Sequence, residues 1–341
     1  MYLSMPEIFL VPVSYAENIL FKEELHAHNP IDRENIVIGV SLPNQRIPRW
    51  VRDKEAFKYY ADQKGVTLKL EDADYDPKLQ AKQVEDLISQ NVDVLIIAPL
   101  DSLAFTSLVE KAKKAGIKVI SYDGLLYNSN SDLYVSFNGT QVGELQGKYL
   151  VQNVPRGNYI ILSGDPNDDT SKLYKDGSLI YIMPLVSTGS IKIVSNVSIP
   201  NWNPVESYNV VKTILSKNNN VNAILSPTDA ISGGAIKALE EVGLAGKVAI
   251  TGQDASPAAI RRILDGTQSM TVLKDSRELA KAAINASIKL VNGESLDTNA
   301  IINNGFKDVP SIILPPTLVT RYNIPETIIN TGYLSPSAIY S

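Results

Sequence analysis

The residues of this chain that could do chemistry are two tryptophans and a recurring set of carboxylates. Trp50 follows Arg49, Trp202 lies far downstream, and no third tryptophan exists. Polar side chains recur just after apolar runs: Pro99-Leu100-Asp101-Ser102, Ser121-Tyr122-Asp123, the segment 163–171, Thr228-Asp229 and Gly252-Gln253-Asp254. An indole face packs against the C–H face of a sugar ring. Carboxylates accept the hydrogens of ring hydroxyls, and Arg, Lys and amides donate back. An unmatched buried hydroxyl costs about 1–3 kcal/mol, so a closed site of this kind selects its ligand. Each residue alone has a plain structural role. A Trp after a strand packs, and an Asp at a strand end caps the next helix. Asp229, ahead of Ala230, is placed for such a cap, and Ser102 for the cap of the third helix. What distinguishes the set is a shared edge.

Other chemistries are absent. With no cysteine there is no disulfide, thiolate metal site or cysteine nucleophile. The two histidines, His26 and His28, both lie near the N-terminus, so a His-based triad or zinc site in the body of the chain is excluded. No GxxxxGK[ST] loop, dinucleotide fingerprint or GxSxG elbow occurs. Asp72-Ala73-Asp74-Tyr75-Asp76 comes nearest to a calcium loop but lacks the Gly and Glu at the required offsets. Neither a cofactor nor a metal is called for. Paired carboxylates for glycoside hydrolysis stay open at this point. A net charge of -5 argues against a nucleic-acid partner, since phosphate contact needs a concentrated basic surface.

The elements that must position these residues alternate from residue 36 onward. Ile36–Val40 reads as a buried strand, 51–64 as a helix, Val66–Leu70 as a strand, and Pro77 opens a helix. Val92–Ala98 and Ile117–Ser121 are strands around a helix over 102–115. A second half repeats the pattern. Strands fall at 159–162, 191–194, 223–225, 248–251 and 270–273, with helices between them and a long helix over 276–292. Apolar strands alternating with helices predict α/β architecture, as two doubly wound parallel-sheet domains of similar size. Ligands of such sheets bind outside the carboxyl ends of the strands, where the polar residues fall. The length of 341 residues agrees with about two domains.

The N-terminal 34 residues read as a leader and linker. The apolar run 7–13 is far below the ~20 residues needed to span a bilayer. Ser14-Tyr15-Ala16 resembles a signal-peptidase site without the basic segment that should precede it, as in a secretory remnant.

The residues resemble a known family. Arg46-Ile47-Pro48-Arg49-Trp50, Gly252-Gln253-Asp254-Ala255 and Asn303-Asn304-Gly305-Phe306-Lys307-Asp308-Val309-Pro310-Ser311 resemble the xylose-binding branch of the periplasmic-type (type I) sugar-binding proteins, in the ribose/galactose class. The likeness runs from about residue 36 to 335. It implies two lobes joined by a three-strand hinge. It divides the chain into a leader (1–34), a first lobe (35–137 plus 275–304), a second lobe (138–274 plus 305–334) and a tail (335–341). It also implies a ligand-binding set of Arg49, Trp50, Asp123, Asp168, Trp202, Asp254 and Lys274, with the two tryptophans on opposite faces of one sugar. Arg46, Thr170, Thr228 and Gln253 are secondary candidates. Three positions depart from the family: Gly124 replaces an Arg, and Thr170 and Thr228 each replace an Asn.

The expectation is a non-enzymatic, extracytoplasmic receptor for D-xylose or a related aldopyranose. It would close around the sugar and present the closed form to a membrane permease of an ABC transporter or to a sensor kinase's extracellular domain. The alternative is the ligand domain of a transcriptional regulator. That needs a helix-turn-helix of about 50–60 residues before the first strand, and the 35 residues before Ile36 show no such pattern.

Overall fold

A computed structural model describes residues 35–45, 48–166 and 168–340. The leader expected over 1–34, Arg46 and Ser341 lie outside the described residues. The first lobe is laid down by β1 (Val37–Leu42), α1 (Pro48–Lys64), β2 (Thr67–Asp72), α2 (Pro77–Ser89), β3 (Val94–Ile97), α3 (Thr106–Lys114), β4 (Lys118–Tyr122) and β5 (Leu133–Phe137). The chain then crosses to a second lobe: α4 (Gly139–Asn153), β6 (Gly157–Ser163), α5 (Asp169–Ser187), β7 (Ile191–Ser198), α6 (Pro204–Lys217), β8 (Ala223–Leu225), α7 (Asp229–Glu241), β9 (Ala249–Ile250), α8 (Pro257–Asp265) and β10 (Thr271–Leu273). It returns to the first lobe with α9 (Ser276–Asn292), β11 (Ala300–Asn303) and β12 (Asp308–Leu314). It ends on the second with β13 (Thr317–Val319) and α10 (Pro336–Tyr340).

The sheets explain the apolar strands. The first runs β11-β12-β5-β4-β3-β1-β2 and is parallel except for β11. Successive side chains point to opposite faces, and both faces are covered by helices. In β3, Val94 and Ile96 enter the core under α1 and α9, while Leu95 and Ile97 enter the core under α2 and α3. The second sheet runs β7-β6-β8-β9 and divides the same way: Ile160 and Leu162 go to one core, Tyr159 and Ile161 to the other. β10 and β13 form a separate antiparallel pair.

One expected boundary is corrected. The family resemblance puts the return to the second lobe at Asn304-Gly305, but those residues form the tip of a hairpin within the first lobe. Asn304 Oδ1 accepts from Phe306 N and Lys307 N, both at 3.0 Å, and Gly305 has φ +87°. Asn304 Nδ2 donates to Leu126 O and Ser129 O, which ties the tip to the loop after β4. The strand that follows, β12, pairs with β5 from Ser311↔Tyr134 to Leu314↔Phe137. The chain therefore crosses at Pro315-Pro316, two residues with no N–H for a sheet ladder. Residues 305–314 belong to the first lobe.

Candidate functional site

The site is built at the carboxyl edges of both sheets. On the first lobe, α1 begins beside that edge and carries Arg49, Trp50 and Asp53. Arg49 is 9% exposed, and its Nη1 donates to Asp123 Oδ2 at 2.8 Å. Its Nε lies 3.5 Å from Asp53 Oδ2, one helical turn on. Asp53 is fully buried and accepts from the Tyr122 hydroxyl at 2.5 Å. Lys274, at the second crossover, brings Nζ to 3.7 Å from Asp123 Oδ1 and 5.5 Å from the Tyr174 ring centroid on α5. Asp53, Arg49, Asp123 and Lys274 thus form one chain of ionisable groups, anchored at one end by the neutral Tyr122 hydroxyl, that reaches from the first lobe to the second. Arg49 Nη2 has no hydrogen-bond partner among the described residues, so the guanidinium retains a donor. The Arg49 Cζ sits 4.4 Å from the Trp50 ring centroid, a cation–π contact that fixes both side chains.

Electrostatics hold this network charged. Burial would raise the Asp123 carboxyl, but Arg49 and Lys274 overcome it and keep the group well below the usual carboxylate range. Burial likewise opposes charge on Lys274, and Asp123 more than restores it. At Asp53 the balance falls the other way: burial pushes the carboxyl up, against the pull of Arg49 and the Tyr122 hydrogen bond.

On the second lobe the carboxylates are held by neutral donors. Asp168 caps α5, accepting from Thr170 N at 2.8 Å, and its Oδ2 accepts from Trp202 Nε1 at 3.1 Å. Burial pushes the Asp168 carboxyl up, opposed by the Thr170 hydrogen bonds. Trp202 also has φ +52°, in the left-handed region that a bulky residue rarely enters. Its ring covers Gly164, where a Cβ would collide with it, so only glycine lets the indole lie there. Asp254 Oδ1 accepts from Gln253 Nε2 at 2.7 Å. Behind it, Asp229 accepts from Ser256 N, Gln268 Nε2 and Thr271 Oγ1 at 2.8–2.9 Å, and burial pushes its carboxyl up to about 7.

Backbone strain clusters at these edges. Asp123 (φ +60°), Asp254 (φ +108°), Trp202 and Tyr75 (φ +65°) are non-glycine residues in conformations costing on the order of 1–3 kcal/mol each. Such strain persists only where the surrounding bonds over-determine it.

Of the expected positions, the structure gathers Arg49, Trp50, Asp123 and Lys274 at one edge. Asp168 pairs with Trp202, and Gln253 with Asp254, at the other. Thr228 and Thr170 are committed to helix starts. Thr228, not Asp229, caps α7 by accepting from Ile231 N, because a capping side chain must precede the first helical residue and Asp229 is that residue. Ser102 caps nothing; α3 begins at Thr106 behind Phe105. Gly124 lies against Pro99, with room for a Cβ only if the proline ring gives way slightly.

Two tyrosines were missed. Tyr75, on the turn after β2, is 48% exposed, and its hydroxyl is pushed up by partial burial and by the charges of Asp168 and Asp254 on the other lobe. Tyr127 is pushed up to about 12 by burial and by the facing Asp169 carboxylate. Tyr75 follows a strand end and could have been found by that rule. Asp53 could have been found from its i+4 spacing to Arg49. Among the described residues no three His, Cys, Asp or Glu side chains gather as a metal site.

Two sheets with facing carboxyl edges, crossed three times by the chain, define a bilobed binding protein. The model of the periplasmic binding protein domain matches residues 38–295, and the chain belongs to that family, in its type I sugar-binding group of non-enzymatic receptors. It is 40% identical over 308 residues to the D-xylose-binding periplasmic protein of Haemophilus influenzae, covering 90% of this chain and 93% of that one. It is 38% identical to the D-xylose-binding periplasmic protein of Escherichia coli, with the same coverage. A carbohydrate transporter solute binding protein from Chloroflexus aurantiacus, in complex with D-glucose, superposes with a TM-score of 0.84 at 30% identity, over 89% of this chain and 98% of the other.

Proposed function

We propose that this protein is an extracytoplasmic receptor for D-xylose or a closely related aldopyranose. The observation that carries the reading is the pair of facing edges. One is a charged Arg49–Asp123–Lys274 cluster beside Trp50, the other Asp168 bonded to the Trp202 indole. Such a pair offers hydroxyl partners on both sides of a ring and an aromatic face from each lobe. Asp168 spends only part of its acceptor capacity on the protein, and Arg49 keeps a donor. Asp254, with Gln253 bonded to it, completes the rim. The two relatives described as D-xylose-binding, each about two-fifths identical over nine-tenths of the chain, support the pentose.

The mechanism is hinge closure. The sugar binds the closed arrangement more tightly because only that arrangement offers both edges at once, and so it shifts the population toward it. The closed form is then read by a membrane partner: an ABC-type permease, or the extracellular domain of a sensor kinase. Gly124, Thr170 and Thr228 stand where the family resemblance implies an arginine and two asparagines, so these edges offer fewer or shorter donors than the resemblance implies. These positions bear on the affinity and on which pentose is preferred, and the titration below reads both.

Calorimetric titration with D-xylose, L-arabinose, D-ribose, D-glucose and D-galactose tests the reading. Saturable heat is expected with D-xylose, at the highest affinity of the five. No heat with any of them would overturn it.

A further inference from the structure

Tyr333 lies in the closing segment of the chain, 79 residues after Asp254, and is 6% exposed. Its ring packs in the apolar cluster of Ala255, Ile260, Leu273 and Val319 on the second lobe. Yet its polar contacts face two ways. The hydroxyl donates to the backbone carbonyl of Asp254 at 3.1 Å. The ring lies under two arginines of the first lobe, with the Arg52 Cζ 5.0 Å and the Arg277 Cζ 5.4 Å from its centroid.

Those arginines belong to the helices that frame the charged edge. Arg52 is on α1, three residues after Arg49 and two after Trp50. Arg277 is in the first turn of α9, directly after the second crossover. Its Nε and Nη2 bond the Asp275 carboxylate at 2.9 and 2.6 Å, and its Nη1 donates to Thr331 O at 3.1 Å. The guanidinium is therefore held between the hinge and the closing segment. Arg52 Nε has no hydrogen-bond partner among the described residues. A cation so placed gains most from the ring face.

At the other end of Tyr333, Asp254 has φ +108°, a conformation unfavourable for any side chain but glycine. Two bonds hold its backbone there: its own N–H to Val272 O at 3.0 Å, and the Tyr333 hydroxyl on its carbonyl. Without the second, the strained backbone keeps only the Val272 bond, and the carboxylate only the Gln253 amide.

We propose that Tyr333 is a positioning residue for sugar binding, coupling the placement of α1 on the first lobe to the strained Asp254 loop on the second. The proposal rests on the receptor function above. Burial keeps the Tyr333 hydroxyl protonated far above neutral pH, so it acts as a donor throughout the working range. Because Arg52 is carried by the same helix as Trp50, a relative movement of the lobes changes the cation–ring contact and the indole position together.

The test is titration of the full chain with D-xylose, by calorimetry and by stopped-flow fluorescence, for wild type, Tyr333→Phe and Arg52→Gln. Tyr333→Phe keeps the ring and loses only the hydroxyl. Affinity is expected to fall about five- to tenfold, the scale of one hydrogen bond, with the loss in the release rate. The circular dichroism and melting temperature of the sugar-free protein should change little. Arg52→Gln keeps Tyr333 whole and should weaken binding about two- to fivefold by the same route. It decides the matter should Tyr333→Phe fail to fold. If the ring merely fills the core, both variants bind D-xylose as wild type does, and the proposal is overturned. If wild type itself gives no heat, the receptor function and this proposal fall together.

Discussion

The two edges of the cleft meet the same problem, keeping carboxylates available in a shielded place, by opposite means. On the first lobe Asp123 is ionised by direct pairing with Arg49 and Lys274. On the second, Asp168 and Asp229 are held by amide, hydroxyl and indole donors, with no cation in an ion pair with either among the described residues. Burial accordingly pushes Asp168 and Asp229 up, while Asp123 is held down. A desolvated ion cluster breaks as a unit, whereas bonds from neutral donors to a carboxylate, about 1.5–3 kcal/mol each, can be given up one at a time.

The largest break is expected at the charged edge. Asp123→Ala leaves Arg49 and Lys274 shielded without their shared partner. Stability should fall by about 3–5 kcal/mol in urea unfolding, and D-xylose binding should vanish. An equal loss from Asp168→Ala would erase the distinction between the edges.

Acidity tests the contrast by sign. The Asp229 carboxyl is raised to about 7, so its contribution is complete at pH below about 4 and is lost as pH rises toward 7. Asp123 is depressed, so its contribution is present above about pH 4 and is lost only as pH falls further. Relative to wild type, Asp229→Asn should therefore gain roughly 1–3 kcal/mol in urea melts between pH 5 and pH 8. The relative stability of Asp123→Asn should stay flat over that range. Slopes of the same sign in both would contradict the assignment.

The smallest effect is expected at the neutral edge. Asp168→Ala removes the α5 cap and the indole acceptor, and should cost about 1 kcal/mol of stability. Affinity for the sugar should fall more than stability does.

Much of this was legible in the sequence, for definable reasons. Val94–Ile97 and Lys118–Tyr122 are apolar on both faces because both faces are covered, and that pattern announces a parallel sheet with its carboxyl edge. Once the edge is known, Asp123 and Asp254 follow. The third crossover, which the family resemblance puts at Asn304-Gly305, falls instead at Pro315-Pro316, because the Asn304-Gly305 turn closes a hairpin within the first sheet. β11 was hard to recognise, since two of its four residues, Ile301 and Asn303, are exposed. Pro315-Pro316 was the better sign, because two successive prolines leave a stretch of backbone with no N–H to offer a ladder. Contacts such as Lys274 with Asp123, or Tyr333 with Asp254, join residues far apart in sequence with no periodicity to link them. Only the folded chain reveals these.

The central claim is that one sugar lies between the two edges with an indole on each side, and the chain's two tryptophans allow a direct measurement. Intrinsic fluorescence is followed during D-xylose titration of Trp50→Phe and Trp202→Phe, each keeping a single indole. The account predicts a saturable change in both variants, each with the midpoint found for that variant by calorimetry. A ligand that produces heat but alters the emission of only one variant, or of neither, would contradict it.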